Sequence, residues 1–206
     1  MIGIIDYEMG NLRSVQKGFE RAGFPATILT DPGAVGGVDK LVLPGVGAVK
    51  DAMATLRDRG FIEPIRDFVA SGKPFLGICL GLQLLFDVSY EDGEHAGLGL
   101  IPGRVVPFDF SALNLPEKLK IPHMGWNQLA WDRDVPMLRG LTPGCWVYFV
   151  HSYYVVPRDD SVTATRTTYG VEFTSMIWKD NVFATQFHPE KSQATGLKML
   201  ENFGRL

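Results

Sequence analysis

Pro74-Phe75-Leu76-Gly77-Ile78-Cys79-Leu80-Gly81-Leu82-Gln83-Leu84-Leu85-Phe86 is the stretch on which the fold turns. It opens as a short apolar run after a proline, the mark of a buried strand, and passes without a polar break into a helical segment. The chain before it has the same texture. Residues 2–6, 27–30 and 40–43 read as strands, the last stopping at Pro44. Between and after them, apolar residues recur at helical spacing: Leu12, Val15, Phe19 and Ala22, then Val49, Met53 and Leu56, then Ile65, Phe68 and Val69. This βαβαβ order predicts an α/β fold with a largely parallel central sheet flanked by helices. From about residue 97 strands and turns take over, with residues 146–156, 171–178 and 182–187 the clearest. The last two are joined by a hairpin turn at Lys179-Asp180-Asn181, so the C-terminal portion is predicted to be antiparallel. A final amphipathic helix carries Leu197, Leu200 and Phe203. No repeat or linker divides the chain, and residues 1–206 read as one domain.

Composition narrows the function. The 206 residues hold 20 Lys+Arg against 23 Asp+Glu, a net charge of -3, and no basic run, which argues against a dedicated nucleic-acid binder. No uncharged apolar stretch approaches the ~18 residues of a membrane span, and residues 1–5 look like a strand rather than a charged signal region. Cys79 and Cys145 are the only cysteines and lie outside ligand spacings, which argues against a Cys-type metal site and suits a reducing compartment. The expectation is a cytoplasmic protein without metal or organic cofactor. Glycine stands out, at 23 of 206 residues against an average near ~7%.

Those glycines bracket one cysteine. In Gly77-Ile78-Cys79-Leu80-Gly81 it sits where the strand ends and the helix begins, the pattern of a nucleophile elbow. Small neighbours let the backbone crowd together and present the side chain, and the following helix start favours thiolate and offers the Leu80 amide to a developing oxyanion. A small cysteine filling a core gap is the competing reading. Cys145 follows Pro143-Gly144, has no elbow, and reads as structural. A thiol nucleophile needs an oriented base, and Gln186-Phe187-His188-Pro189-Glu190 offers one: in an extended segment His188 and Glu190 share a face, with Pro189 stiffening the link. His95 lies in a polar stretch and reads as solvated, whereas His123 and His151 have richer settings. Leu43-Pro44-Gly45-Val46-Gly47 ends a strand in a loop that lacks the third glycine of a dinucleotide site and suits a second oxyanion contributor facing Cys79.

These three ordered motifs resemble the class I (triad) glutamine amidotransferases. Further stretches narrow the resemblance to the glutaminase subunits of imidazole glycerol phosphate synthases: Asp6-Tyr7 with Met9-Gly10-Asn11-Leu12, residues 97–103, Ile121-Pro122-His123-Met124-Gly125-Trp126-Asn127, and Tyr148-Phe149-Val150-His151-Ser152-Tyr153. Val49, where an aromatic is expected, and Leu82, where methionine is frequent, depart from the pattern away from the catalytic positions. The resemblance implies a flavodoxin-like amidotransferase fold, L-glutamine as substrate, and a cyclase subunit as heterodimer partner. It implies Cys79 as nucleophile, His188 as base and later acid, Glu190 as its orienter, and Leu80 and Val46 as oxyanion amides. Gly45, Gly47, Gln83, His151, Ser152 and Tyr153 match substrate-holding positions, and Asn11, Met124, Trp126, Tyr148 and Lys191 match positions that meet the synthase partner and pass ammonia. A stand-alone cysteine hydrolase and a non-catalytic glutamine-binding protein are the rival readings.

Overall fold

A computed structural model describes residues 1–111 and 119–206. The chain begins β1 (Ile2–Ile5), α1 (Leu12–Arg21), β2 (Ala26–Leu29), β3 (Lys40–Gly45), α2 (Val49–Asp58), α3 (Ile62–Ala70), β4 (Phe75–Cys79) and α4 (Leu80–Gln83). It continues with β5 (Phe86–Ser89), β6 (His95–Ala96), β7 (Ile101–Pro107), β8 (His123–Gln128), β9 (Trp146–His151) and β10 (Tyr153–Pro157). β11 (Thr163–Tyr169), β12 (Val171–Lys179), β13 (Val182–Thr185) and α5 (Gln193–Gly204) complete it. One large sheet runs β2-β1-β3-β4-β13-β12-β10-β7-β5-β6, with β11 paired to β12, and β8 and β9 form a separate two-stranded ribbon. The β2-β1-β3-β4-β13 half is parallel, and from β13 through β12 and β10 to β7 the pairing is antiparallel.

The parallel half is buried on both faces because side chains alternate between two helical layers. Leu41 and Leu43 of β3 and Phe75 of β4 pack with α2 and α3, while Val42, Leu76 and Ile78 pack with Val15 and Phe19 of α1 and Met199, Leu200 and Phe203 of α5. Continuous apolar runs, rather than alternating ones, are the sequence consequence. α1 starts at Asn11, whose side chain accepts from the Ser14 amide, and α2 has no local side-chain cap. The Glu91 carboxylate, 42 positions away in sequence, accepts from the Val49 amide at 2.8 Å instead.

Three elements differ from the sequence expectation. β3 continues through Pro44, which pairs with Ile78 of β4. Its register with β1 ends at Val42, so the N–H that proline lacks is not needed on that side. The helix after Cys79 is a single turn, and Phe86 already opens β5. Residues 146–156 are two strands that part at Ser152, β9 joining the ribbon and β10 the large sheet. The expected hairpin between β12 and β13 is present, with Lys179 opposite Val182. Among the described residues no helix is long and apolar enough to cross a membrane.

Candidate active site

The site starts from the backbone at Cys79. Its φ of 56° and ψ of -108° put a non-glycine residue in a sparsely populated conformation, as an elbow demands. The turn is pressed so closely against its neighbours that side chains are excluded. A Cβ on Gly81 would lie 1.9 Å from the Leu43 carbonyl oxygen, and one on Gly77 would lie 2.7 Å from that of Gly81. Gly45 stands opposite Cys79 in the β3-β4 ladder, so the loop that follows it, with Val46 and Gly47, begins beside the sulfur.

β13 is the next parallel strand, with Thr185 opposite Ile78, so the residues after it emerge beside Cys79. Here the chain is not extended. Pro189–Lys191 form one turn of 3-10 helix, and that turn, rather than strand alternation, folds Glu190 back onto His188. The Glu190 carboxylate lies 2.8 Å from His188 Nδ1, with both side chains almost wholly buried. An ionised carboxylate only accepts, so Nδ1 carries a proton, and Nε2 is the nitrogen turned to the cavity to take up or give one. Among the described residues that Nε2 has no hydrogen-bond partner. Burial pulls the His188 pKa down, but the nearby Cys79 sulfur and the hydrogen bond and charge of Glu190 outweigh it, and the pKa is raised. The sulfur itself lies 3.9 Å from the Val150 carbonyl and 3.8 Å from Gln186 Nε2.

A cavity of about 330 Å³ opens over the sulfur, at the small end of the range for ligand pockets. Val46, Gly47, Cys79, Leu80, Gln83, His151, Ser152, Tyr153 and His188 line it, together with Glu91, Pro122 and Val150. The structure thus brings nine of the expected site residues to one cavity, with Gly45 beneath the loop and Glu190 behind His188. The other five lie outside it. Met124 and Trp126 are exposed on the β8-β9 ribbon; Trp126 meets Tyr148 edge-on at 6.1 Å, and Lys191 Nζ stands 5.9 Å from the Tyr148 ring. Asn11 caps α1.

Several further contacts emerge only in the structure. Glu91 faces the cavity from the loop between β5 and β6, and burial raises its pKa against the pull of the Val49 amide. His123 and His151 are paired, Nδ1 to Nε2 at 3.0 Å, inside an aromatic enclosure in which His123 stacks on Tyr169 and Phe149. Burial lowers the His151 pKa to about 3 and that of His123 to about 4, so both rings are neutral. His151 Nδ1 lies 2.8 Å from the Tyr153 carbonyl, which can only accept, so the neutral ring's Nε2 accepts from His123. Ser192 ties the ribbon to the base: it donates to the His188 carbonyl at 2.6 Å and accepts from the Tyr148 amide at 3.0 Å, while the His188 amide donates to the Tyr148 carbonyl. His95 is half-buried, its Nε2 without a partner among the described residues, not solvated as its neighbours in sequence suggest.

A thiol on a strained elbow, an imidazole with a free Nε2 and a carboxylate on Nδ1, gathered over a small cavity at the ends of parallel strands, form the geometry that acyl transfer from a small substrate requires. A profile of the family described as Glutamine amidotransferase class-I matches residues 4–205. The chain is 60% identical to "Imidazole glycerol phosphate synthase subunit HisH" of Syntrophotalea carbinolica over 204 residues, 99% of each chain. It is 56% identical to the protein of that name from Geobacter sulfurreducens over 205 residues, 100% of this chain and 98% of the other. Among solved structures, PurLQS from Thermotoga maritima superposes with a TM-score of 0.74 at 19% identity, covering 97% of this chain and 94% of that one, a likeness of fold. The chain belongs to the class-I glutamine amidotransferases and, within them, to the HisH group.

Proposed function

We propose that this chain is the glutaminase subunit of an imidazole glycerol phosphate synthase, hydrolysing L-glutamine to glutamate and ammonia for a cyclase subunit in histidine biosynthesis. The observation that carries this reading is the 60% identity to a HisH protein over 99% of both chains. The cavity geometry supports the steps. Cys79 gives its proton to His188 Nε2 and attacks the side-chain carboxamide carbon of glutamine. The C–O double-bond pair moves onto oxygen, where the Leu80 and Val46 amides receive the charge. Collapse of this intermediate expels the amine, which takes the proton from His188 and leaves as ammonia. His188 then removes a proton from water, the hydroxide attacks the thioester, and glutamate leaves with the thiol restored. Glu190 holds the Nδ1–H tautomer throughout and stabilises the imidazolium.

The remaining residues hold the substrate or meet the partner. Both Gln83 N–H bonds are engaged, on the Tyr153 carbonyl and the Gln186 side chain, so Gln83 Oε1 is the atom left to accept from glutamine. Glu91 supplies a carboxylate to the α-ammonium group, and Gly45, Gly47, His151, Ser152 and Tyr153 shape the walls. Met124, Trp126, Tyr148, Lys191 and Asn11 form the face toward the cyclase, in a heterodimer through which ammonia passes. The reading places the enzyme in the cytoplasm, where free thiols such as Cys79 and Cys145 stay reduced.

The test is a pair of assays on the chain together with its cyclase. Cys79→Ala is expected to abolish synthesis from glutamine while added ammonium still supports it. Glutamine hydrolysis surviving in that variant would overturn the nucleophile, and a wild-type complex that makes product only from ammonium would overturn the function.

A further inference from the structure

Gln186 is fully buried, just beyond β13 and two positions before His188. Its backbone is pinned, the amide donating to the Ser175 carbonyl at 2.9 Å. Its side chain lies between two site residues, with Oε1 3.2 Å from Gln83 Nε2 and Nε2 3.8 Å from Cys79 Sγ. Which end of the amide faces the sulfur follows from the chain of contacts. Gln83 Nε2 also lies 3.3 Å from the Tyr153 carbonyl, an obligate acceptor, so that end of Gln83 is a donor. The Gln186 atom receiving its other N–H is then the oxygen, and the end turned to Cys79 is the NH2 group.

We propose that Gln186 acts directly on the nucleophile, its buried side-chain amide donating an N–H to the Cys79 thiolate that forms when the proton passes to His188. The reaction requires no bond change at Gln186: the thiol proton moves to His188 Nε2, the electron pair stays on sulfur, and the amide N–H points at the new charge. The donor works against the Val150 carbonyl, 3.9 Å from the sulfur, which as an acceptor favours the protonated thiol. Hydrogen bonds to charged groups exceed those to neutral ones, so the contact strengthens as the thiolate forms. It also makes that thiolate a somewhat weaker nucleophile, because nucleophilicity falls as the thiolate is stabilised. Gln83 holds the amide in the donating orientation, which connects a wall of the substrate cavity to the reacting sulfur. The assignment rests on the glutaminase reading for its catalytic meaning, though the contact itself does not.

These opposed effects give a signature. In the complex with the cyclase, iodoacetamide labelling of Cys79 is followed by peptide mass spectrometry from pH 5 to 10. Gln186→Met, which removes the donor and keeps the bulk, is expected to move the inflection of the labelling rate upward by about one pH unit, the scale of one hydrogen bond to a charged group. The high-pH plateau should be unchanged or higher. A merely structural role would lower the plateau and leave the inflection in place, and that result overturns the proposal. Co-elution of the variant with the cyclase and a wild-type melting transition report whether it is folded and paired. If Gln186→Met fails that control, Gln186→Glu decides, since it keeps the acceptor for Gln83 but turns a carboxylate to the sulfur and should move the inflection further. An unmoved inflection there also overturns the proposal. Glutamine turnover by the wild-type complex is measured alongside. Its absence would remove the function while leaving the labelling result to judge the contact.

Discussion

The elbow at Cys79 and the β8-β9 ribbon treat apolar surface in opposite ways. The elbow lies between strands buried on both faces, and its tight backbone leaves no room for a methyl group on Gly77 or Gly81. The ribbon buries one face only: His123, Val147, Phe149 and His151 point inward, while Met124, Trp126 and Trp146 stand exposed at 63%, 42% and 52%. Packing density governs the first region, so any added atom must push backbone aside. In the second, large apolar side chains remain in water, on the face that the proposed function gives to the cyclase. The two are joined at Tyr148 and Ser192, where ribbon backbone and the His188 turn share hydrogen bonds.

The sharpest way to break this contrast is to change one side chain on each side of it. Gly81→Ala places a Cβ against the Leu43 carbonyl and is expected to cost more than ~4 kcal/mol, read as lost soluble protein or a collapsed melting transition. A variant that melts like wild type would show that the elbow can relax. Trp126→Ala removes far more atoms, yet should leave the melting temperature of the isolated chain almost unchanged, within ~0.5 kcal/mol. Titration against the cyclase should show binding weakened by ~30-fold, about 2 kcal/mol, the scale of an interface anchor. Unaltered affinity would remove Trp126 from the partner face.

Smaller effects sharpen the junction. Ser192→Ala leaves the Tyr148 amide and the His188 carbonyl without their shared hydroxyl. A stability loss of about 1–2 kcal/mol is expected by denaturant titration, with partner-stimulated hydrolysis reduced more than ammonium-dependent synthesis. The smallest is a pH slope. His123 and His151 have folded pKa values of about 4 and 3, below the 6.5 of the unfolded chain. The unfolded state therefore binds more protons between those limits, and stability falls as pH drops from 6.5 toward 4. His188, with a raised pKa, works in the opposite sense, contributing below pH 6.5 and losing its contribution as pH rises through the folded value. His123→Leu should flatten the acid slope in pH-dependent melting, from a lower starting stability because His151 Nε2 loses its donor. An equally steep slope would show that the pair does not titrate as its burial implies.

Much of this molecule was legible before folding because local pattern and tertiary environment agree. Apolar runs at residues 2–5, 41–43 and 75–78 announced strands, the last of them buried, and α1, α2 and α5 follow their apolar spacing. Legibility failed where a distant segment intervened. Leu80 to Phe86 is apolar enough for a two-turn helix, but pairing with Ile101 claims Phe86 for β5. Residues 146–156 are apolar apart from His151 and Ser152 and read as one strand, yet the two halves pair with different partners on either side of Ser152. In the site, the elbow at Cys79 was readable because it imposes strict local requirements, whereas His188 and Glu190 were singled out as neighbours on an extended face although a 3-10 turn is what brings them together. Glu91, His123 and Gln186 were not, since a glutamate in a polar loop or a glutamine near a strand end has no local pattern to set it apart.

Sequence alone determined the parallel α/β order, the residue at the elbow and the glycines it requires, because these rest on local spacing and backbone sterics. The assembly of Cys79 with a base 109 positions away, the neutral histidine pair and the orientation of the Gln186 amide were decided only by tertiary structure. Each depends on hydrogen-bonding capacity being satisfied between segments that meet nowhere in sequence, and in a dry interior an unsatisfied group is costly enough to select one arrangement.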